Sequence, residues 1–170
     1  ILLPLGHFAL DPCASTNQHL RTADTMWTVE DGGFMKPWPK SSRVWCNPPY
    51  GTKTTDWIRR LGDHGNGIGL VFARVDTPLF QDEIFQRATG LLFLRKRIFF
   101  IQRDGKRATS SGGAPSVLVA YGDHNMEVLR KAKLKGSLVD LKIPQVITRY
   151  AKPRRNRSFP AIQLQVPIDN

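Results

Sequence analysis

No run of about 18 consecutive apolar residues occurs in this sequence, so no membrane-spanning helix is expected. Ile1-Leu2-Leu3-Pro4-Leu5 is too short for a secretory leader and has no basic start, so it is not expected to act as one. The first residue is not Met, and a segment upstream of it is expected. Cysteine is scarce: Cys13 and Cys46 have neither metal-ligand spacing nor a histidine close by. His7, His19, His64 and His124 form no cluster, so no metal is expected. A reduced, intracellular setting is the default expectation from that cysteine usage. Internal repeats are lacking. Acidic residues are few, 14 against 25 Lys and Arg, which leaves a net charge of +11 and a pI near 10.2. Such an excess on one small domain favours a polyanionic partner, with nucleic acid ahead of a merely solvated basic surface.

What is present is a series of short apolar runs separated by turn residues. His7–Leu10, Arg43–Cys46, Gly69–Phe72, Leu91–Leu94, Ile98–Ile101 and Ser116–Tyr121 are nearly continuous in apolar character, as strands buried on both faces should be. Helices are predicted over Thr54–Asp63 and Thr77–Ala88, the second with Thr77 as N-cap and Pro78 in its first turn. Leu79, Phe80, Ile84, Phe85 and Ala88 fall on one helical face. Alternating strands and helices imply an α/β fold with a mostly parallel sheet and helices on both faces. After Tyr121 the pattern weakens. Met126–Leu134 reads as a basic helix ending at Gly136, followed by Pro144, Pro153 and Pro160 around Lys152-Pro153-Arg154-Arg155-Asn156-Arg157. A folded domain over 1–125 and a basic, proline-broken extension over 126–170 are therefore expected. That extension is either an exposed tail or a phosphate contact.

Three predicted strands end in a polar residue and a turn: Asp11-Pro12, Asn47-Pro48 and Arg74-Val75-Asp76. In parallel α/β sheets ligands bind at the carboxyl ends of strands, so these residues converge on one site. Asn47-Pro48-Pro49-Tyr50 suits a demanding reaction. The exocyclic amine of adenine is a poor nucleophile because its lone pair is delocalised into the ring. Two acceptors on its two hydrogens, the Asn47 side-chain oxygen and the Pro48 carbonyl, draw the nitrogen towards tetrahedral geometry. Consecutive prolines hold both acceptors in place beforehand. Tyr50 offers a ring face to an extruded base, or else simply packs beneath a proline turn.

In that setting the chain resembles the Dam-type DNA adenine-N6 methyltransferases of phages and prophages, over roughly residues 8 to 122. Five blocks carry the likeness in order: Asp11-Pro12-Cys13-Ala14-Ser15; Trp27-Thr28-Val29-Glu30-Asp31-Gly32-Gly33 with Trp38-Pro39; Val44-Trp45-Cys46-Asn47-Pro48-Pro49-Tyr50-Gly51 with Trp57-Ile58; Arg74-Val75-Asp76-Thr77 with Phe80; and Phe93-Leu94-Arg95 with Arg97-Ile98. The resemblance implies a Rossmann-like methyltransferase fold, S-adenosylmethionine as methyl donor, and duplex DNA with a flipped adenine as substrate. It also implies work in the cytoplasm of a bacterial or phage-infected cell. RNA, a protein glutamine, or a catalytically inactive nucleic-acid-binding relative remain as alternatives, since Asn-Pro-Pro-Tyr serves any planar amide-like nitrogen. The chain departs from common methyltransferase patterns in having no Gly-rich loop after the first strand, and Asp11–Ser15 must replace it. The family's N-terminal Trp/Thr-Pro segment is absent, and Lys96 stands where the family often has Gly.

On this reading Asn47, Pro48, Pro49 and Tyr50 are catalytic. Asp11, Pro12, Cys13, Ala14 and Asp31 are the cofactor candidates. Asp11 either meets the cofactor or caps the turn after it, and Asp31, before Gly32-Gly33, either binds a cofactor hydroxyl or forms an ordinary turn. Cys13 either lets the cofactor approach or is simply buried. Lys53, Arg74, Asp76 and Arg97 are the DNA candidates, although Arg74 and Asp76 can also pair with each other. Arg59, Arg60, Arg95, Lys96, Arg103, Lys106 and Arg107 add positive charge for phosphates. Oligomeric state is not legible.

Overall fold

Among residues 1–16, 18, 20–101 and 105–142, which the computed structural model describes, the chain forms one seven-stranded sheet. Its strands are β1 (Leu10–Asp11), β2 (Thr25–Met26), β3 (Val44–Cys46), β4 (Gly67–Phe72), β5 (Gly90–Leu94), β6 (Ser116–Tyr121) and β7 (Gly136–Asp140). They lie in the order β2-β1-β3-β4-β6-β5-β7. β1 pairs in parallel with both β2 and β3, and β3 with β4. β6 lies antiparallel between β4 and β5, and β7 runs antiparallel to β5. The first five strands therefore share one direction, and their carboxyl ends share one edge.

The central strands are aliphatic on both faces because helices cover both. On one side Val44, Cys46 and Val71 pack with Ile58 and Leu61 of α1 (Thr54–His64) and with Phe80 and Ile84. On the other, Trp45, Ile68, Leu70 and Leu118 pack with Met126 and Leu129 of α3 (Asp123–Lys131) and with Leu5 and Phe8. This is the expected α/β architecture. α1 ends where Gly65 takes a left-handed conformation (φ 73°) and its N–H returns to the Leu61 carbonyl.

Several elements differ from expectation. The helix predicted from Thr77 begins instead at Leu79 as a π-helical segment (Leu79–Ile84), continuing into α2 (Phe85–Arg87). The Thr77 hydroxyl donates backwards to the Arg74 carbonyl (2.7 Å) and so does not cap the helix; the Phe85 N–H bonds to the Phe80 carbonyl, the wide i→i+5 step. Ile98–Ile101 is not a strand of the sheet. It forms one side of a projecting arm, with the Ala108 N–H on the Phe100 carbonyl, the Gly112 N–H on the Ile98 carbonyl, and an Ile101–Arg107 bridge. Ile98 and Phe100 are half-buried while Phe99 and Ile101 are exposed, so only one side of the arm rests on the protein. β2 and β7 were not expected. The expected boundary at 125/126 falls inside α3, and β7 extends the sheet beyond it. His19, Arg103 and the extension from residue 143, with its arginine cluster, lie outside the described residues.

Candidate active site

From β1 the chain crosses to β2 on one side and then returns to β3 on the other. The crevice beyond the ends of β1 and β3 is thus the point where strand order reverses, the usual ligand position in such sheets. A cavity of about 590 Å³ opens there, a size suited to small ligands. Ser15, Gln18, Thr22 and Asn47 give it polar groups; Trp45, Leu70 and the arm residues Ile98–Ile101 give it apolar walls, with Ile1–Leu3 beside them.

Asn47 is the first residue beyond β3. Its Oδ1 is buried with no hydrogen-bond partner among the described residues, although Asn47 lines the cavity. Pro48 is buried beside it. The rest of the turn is pinned by Thr54 at the start of α1, whose hydroxyl donates to the Pro49 carbonyl (2.8 Å) and accepts from the Gly51 N–H (3.0 Å). Tyr50 leaves the turn 41% exposed and stacks on Phe72, with ring centroids 4.0 Å apart and planes within 9°. Phe100 meets it at an angle of 73°. Partial burial pushes the Tyr50 phenol up to about 12, so it stays protonated at neutral pH.

The loop after β1 is held by side chains rather than by glycines. Asp11 is almost fully buried; its carboxylate accepts from the Cys13 N–H (3.1 Å) and from the Thr22 hydroxyl. Gln18 donates to the Thr22 hydroxyl (3.1 Å) and to the Leu20 carbonyl (2.8 Å), and accepts from the Ser15 N–H (3.2 Å). Asp11 therefore stands behind Thr22, Gln18 and Ser15, which face the cavity. Burial raises its carboxyl above the ordinary range despite the hydrogen bonds it accepts. The Ala14 N–H continues the ladder to the Trp27 carbonyl (2.9 Å). The Cys13 and Cys46 sulfurs lie 3.6 Å apart, and that contact, together with burial, pushes the Cys13 thiol well up. This pair joins the ends of β1 and β3 below the crevice.

Asp31 lies on the turn after β2, exposed and outside the cavity lining. It accepts from the Thr28 N–H (2.8 Å) and hydroxyl (3.0 Å), and these bonds hold its carboxyl below the usual range. Gly33 lies against the turn after β1 so closely that a Cβ would sit 2.0 Å from the Pro12 carbonyl oxygen. The two turns are thus fitted to each other. Lys53, Arg74, Asp76 and Arg97 are exposed, each within four residues of Tyr50, Phe72 or Ile98. Among the described residues no ion pair joins Arg74 to Asp76. Arg59 and Arg60 are engaged elsewhere, Arg59 with Glu83 (2.7 Å) and Asp56 (3.0 Å), Arg60 with the Phe34 and Lys36 carbonyls.

Gln18, Thr22, Thr54 and Phe72 were not singled out from the sequence. Their importance depends on which loops meet beyond the strand ends, and only a polar character over residues 15–22 hints at it. Among the described residues no helix is long and apolar enough to cross a membrane. Neither the curated proteins nor the solved structures gave a match. A family model described as DNA N-6-adenine-methyltransferase (Dam) matches residues 3–140, which spans both sides of the crevice and all seven strands. With the Asn-Pro-Pro-Tyr turn at the strand-order reversal, this match places the chain in the Dam family of DNA N6-adenine methyltransferases.

Proposed function

We propose that the cavity beyond β1 and β3 takes S-adenosylmethionine together with an adenine turned out of duplex DNA. The observation that carries this reading is the orphaned Asn47 Oδ1. A buried acceptor left unpaired costs about 1–3 kcal/mol, a cost removed when a bound ligand donates to it. The adenine amino group is such a donor. Asn47 Oδ1 takes one of its hydrogens and the Pro48 carbonyl the other, while Pro48 and Pro49 keep the two acceptors from swinging apart. Neither acceptor is a base, so their task is to orient the nitrogen and free its lone pair. Tyr50 presents the ring on which the base stacks.

S-adenosylmethionine, when bound, supplies the electrophilic methyl group. The mixed lining suits it, with Ser15, Gln18 and Thr22 for its polar end and Trp45, Leu70 and Phe99 as apolar walls. Asp11, with Pro12, Cys13 and Ala14, sets the wall behind them. Asp31, ionised and exposed, serves the cofactor's hydroxyls. Lys53, Arg74 and Arg97 meet DNA phosphates, and Asp76 lies beside the target nucleotide. The reaction takes place in the cytoplasm of a bacterial or phage-infected cell, where such DNA is present.

Replacing Asn47 with Ala tests the reading directly. Transfer of tritiated methyl groups to unmodified duplex DNA is expected to fall at least a hundredfold, while calorimetry records S-adenosylmethionine binding within about threefold of the parent. Retained transfer in Asn47→Ala would remove Asn47 from the chemistry.

A further inference from the structure

Tyr50 has two ring faces, and one of them is already covered. Phe72, the last residue of β4, lies parallel to it at 4.0 Å between centroids and 9° between planes. Phe72 is itself held at both ends. Its backbone pairs with Ser116 in the sheet, and the next amide, that of Ala73, bonds to the Pro115 carbonyl (2.8 Å). The returning side of the arm closes on the same ring. A Cβ on Gly112 would lie 3.3 Å from Phe72 Cε1 and 3.2 Å from Phe100 Cε2, so a residue without a side chain stands where the two rings meet. Phe100 in turn packs across Tyr50 at 73°, with centroids 5.8 Å apart.

We propose that Phe72 is a positioning residue for methyl transfer: it backs Tyr50 and fixes the plane on which the target base stacks. The inference rests on the reading that Tyr50 receives the base. A tyrosine on a turn, 41% exposed, has freedom about two side-chain torsions. A base stacked on a freely turning ring would carry its amino nitrogen out of line with Asn47. Phe72 is anchored by its sheet pairing, and its stacked ring extends that anchorage to a ring that the turn alone does not hold. The order is then β4, Phe72, Tyr50, base, with the base on the face that Phe72 leaves open. Offset-stacked aromatic pairs contribute enough to hold such a ring in one orientation.

The test uses the full chain, tritiated S-adenosylmethionine and unmodified, PCR-amplified duplex DNA. Phe72→Leu keeps most of the volume but removes the ring face; Phe72→Tyr keeps the ring. Phe72→Leu is expected to lower kcat/KM for DNA about tenfold, with calorimetric affinity for S-adenosylmethionine within twofold and an unchanged thermal midpoint. Phe72→Tyr is expected to restore kcat/KM to within threefold of the parent. A loss under threefold in Phe72→Leu, a gain, or a loss that Phe72→Tyr does not reverse overturns the proposal. A gain would identify Phe72 as a plug in the place of the base. Tyr50→Ala separates the two levels of the argument. If it is inactive while Phe72→Leu loses less than threefold, only the role of Phe72 fails; if it is fully active, base stacking on Tyr50 fails as well.

Discussion

Asp11 is a carboxylate with 2% of its surface exposed, and its neighbours do not fully compensate for the lost water. Burial raises its pKa although Thr22 and Cys13 donate to it. The folded chain therefore holds this proton to higher pH than the unfolded chain does. Below the ordinary carboxylate range both states are protonated and the group has no effect. As pH rises towards the raised folded value, the unfolded state ionises first and stability is lost; above that value the loss is complete. Asp11→Asn lacks this term, so its thermal midpoint relative to the parent should be higher at pH 8 than at pH 3.5. Scanning fluorimetry at the two values checks the sign, and a variant whose relative midpoint falls with pH would show that the hydrogen bonds outweigh burial. The same substitution weakens the hold on Thr22, and with it the Ser15–Thr22 wall. Calorimetric affinity for S-adenosylmethionine is expected to fall about tenfold, the size of one charge-assisted hydrogen bond. Sequence alone left Asp11 open between a cofactor contact and a local cap. The local hydrogen bond to Cys13 is formed, and Thr22, eleven residues away, supplies the second donor, which no local pattern displays.

The elements that define the crevice are short, and this decided what could be read in advance. β4 and β6 are long and apolar, β6 buried throughout and β4 in all but its last residue, so their apolar runs identify them. β1 and β2 have two residues each, and β2 is only half-buried at a sheet edge, so no periodicity develops. β7 alternates weakly because its outer side is exposed. Ile98–Ile101 misled for the opposite reason. It is as apolar as a core strand, yet Phe99 and Ile101 stay exposed beside the open cavity, and burial depends on the partner surface rather than on composition. The turns between elements carry more of the site than their sequences suggest. Gly32 and Gly33 look alike, but Gly32 has φ 67° with open space around it, whereas Gly33 abuts the Pro12 carbonyl. Gly32→Ala should cost about 1–2 kcal/mol through backbone conformation alone and leave cofactor affinity unchanged. Gly33→Ala must push the turns after β1 and β2 apart, costing about 1–3 kcal/mol and lowering S-adenosylmethionine affinity as well. Denaturant melts paired with calorimetry separate the two; equal cofactor affinity in both variants would show that the Gly33 contact does not shape the pocket.

At the scale of the whole molecule the informative quantity is charge. Composition predicted a polyanionic partner, Asn-Pro-Pro-Tyr a planar amino nitrogen, and the family match decides for adenine in DNA over RNA or protein glutamine. The net charge of +11 is not spread evenly in its availability. Arg59, Arg87 and Arg130 are tied to carboxylates, whereas Arg95, Lys96 and Arg97 stand exposed at the foot of the arm that walls the cavity. The extension from residue 143 brings a further Lys152 and Arg149, Arg154, Arg155 and Arg157 against a single Asp169. Each phosphate that a cation neutralises releases condensed counterions, so log affinity falls with log salt by about 0.9 per contact. Arg97→Ala should therefore reduce the slope of that plot by about 1, and removing Arg95, Lys96 and Arg97 together by at most about 3. Asn47, proposed to meet the base rather than a phosphate, gives the contrast: Asn47→Ala should leave the slope unchanged while transfer is lost. Fluorescence anisotropy with labelled duplex between 50 and 200 mM salt, roughly the range over which such slopes are resolved, reads all three. An unchanged slope in the triple variant would move the phosphate track away from the arm. The extension's arginines would then be the next positions to neutralise, with transfer assayed alongside binding to separate docking from chemistry.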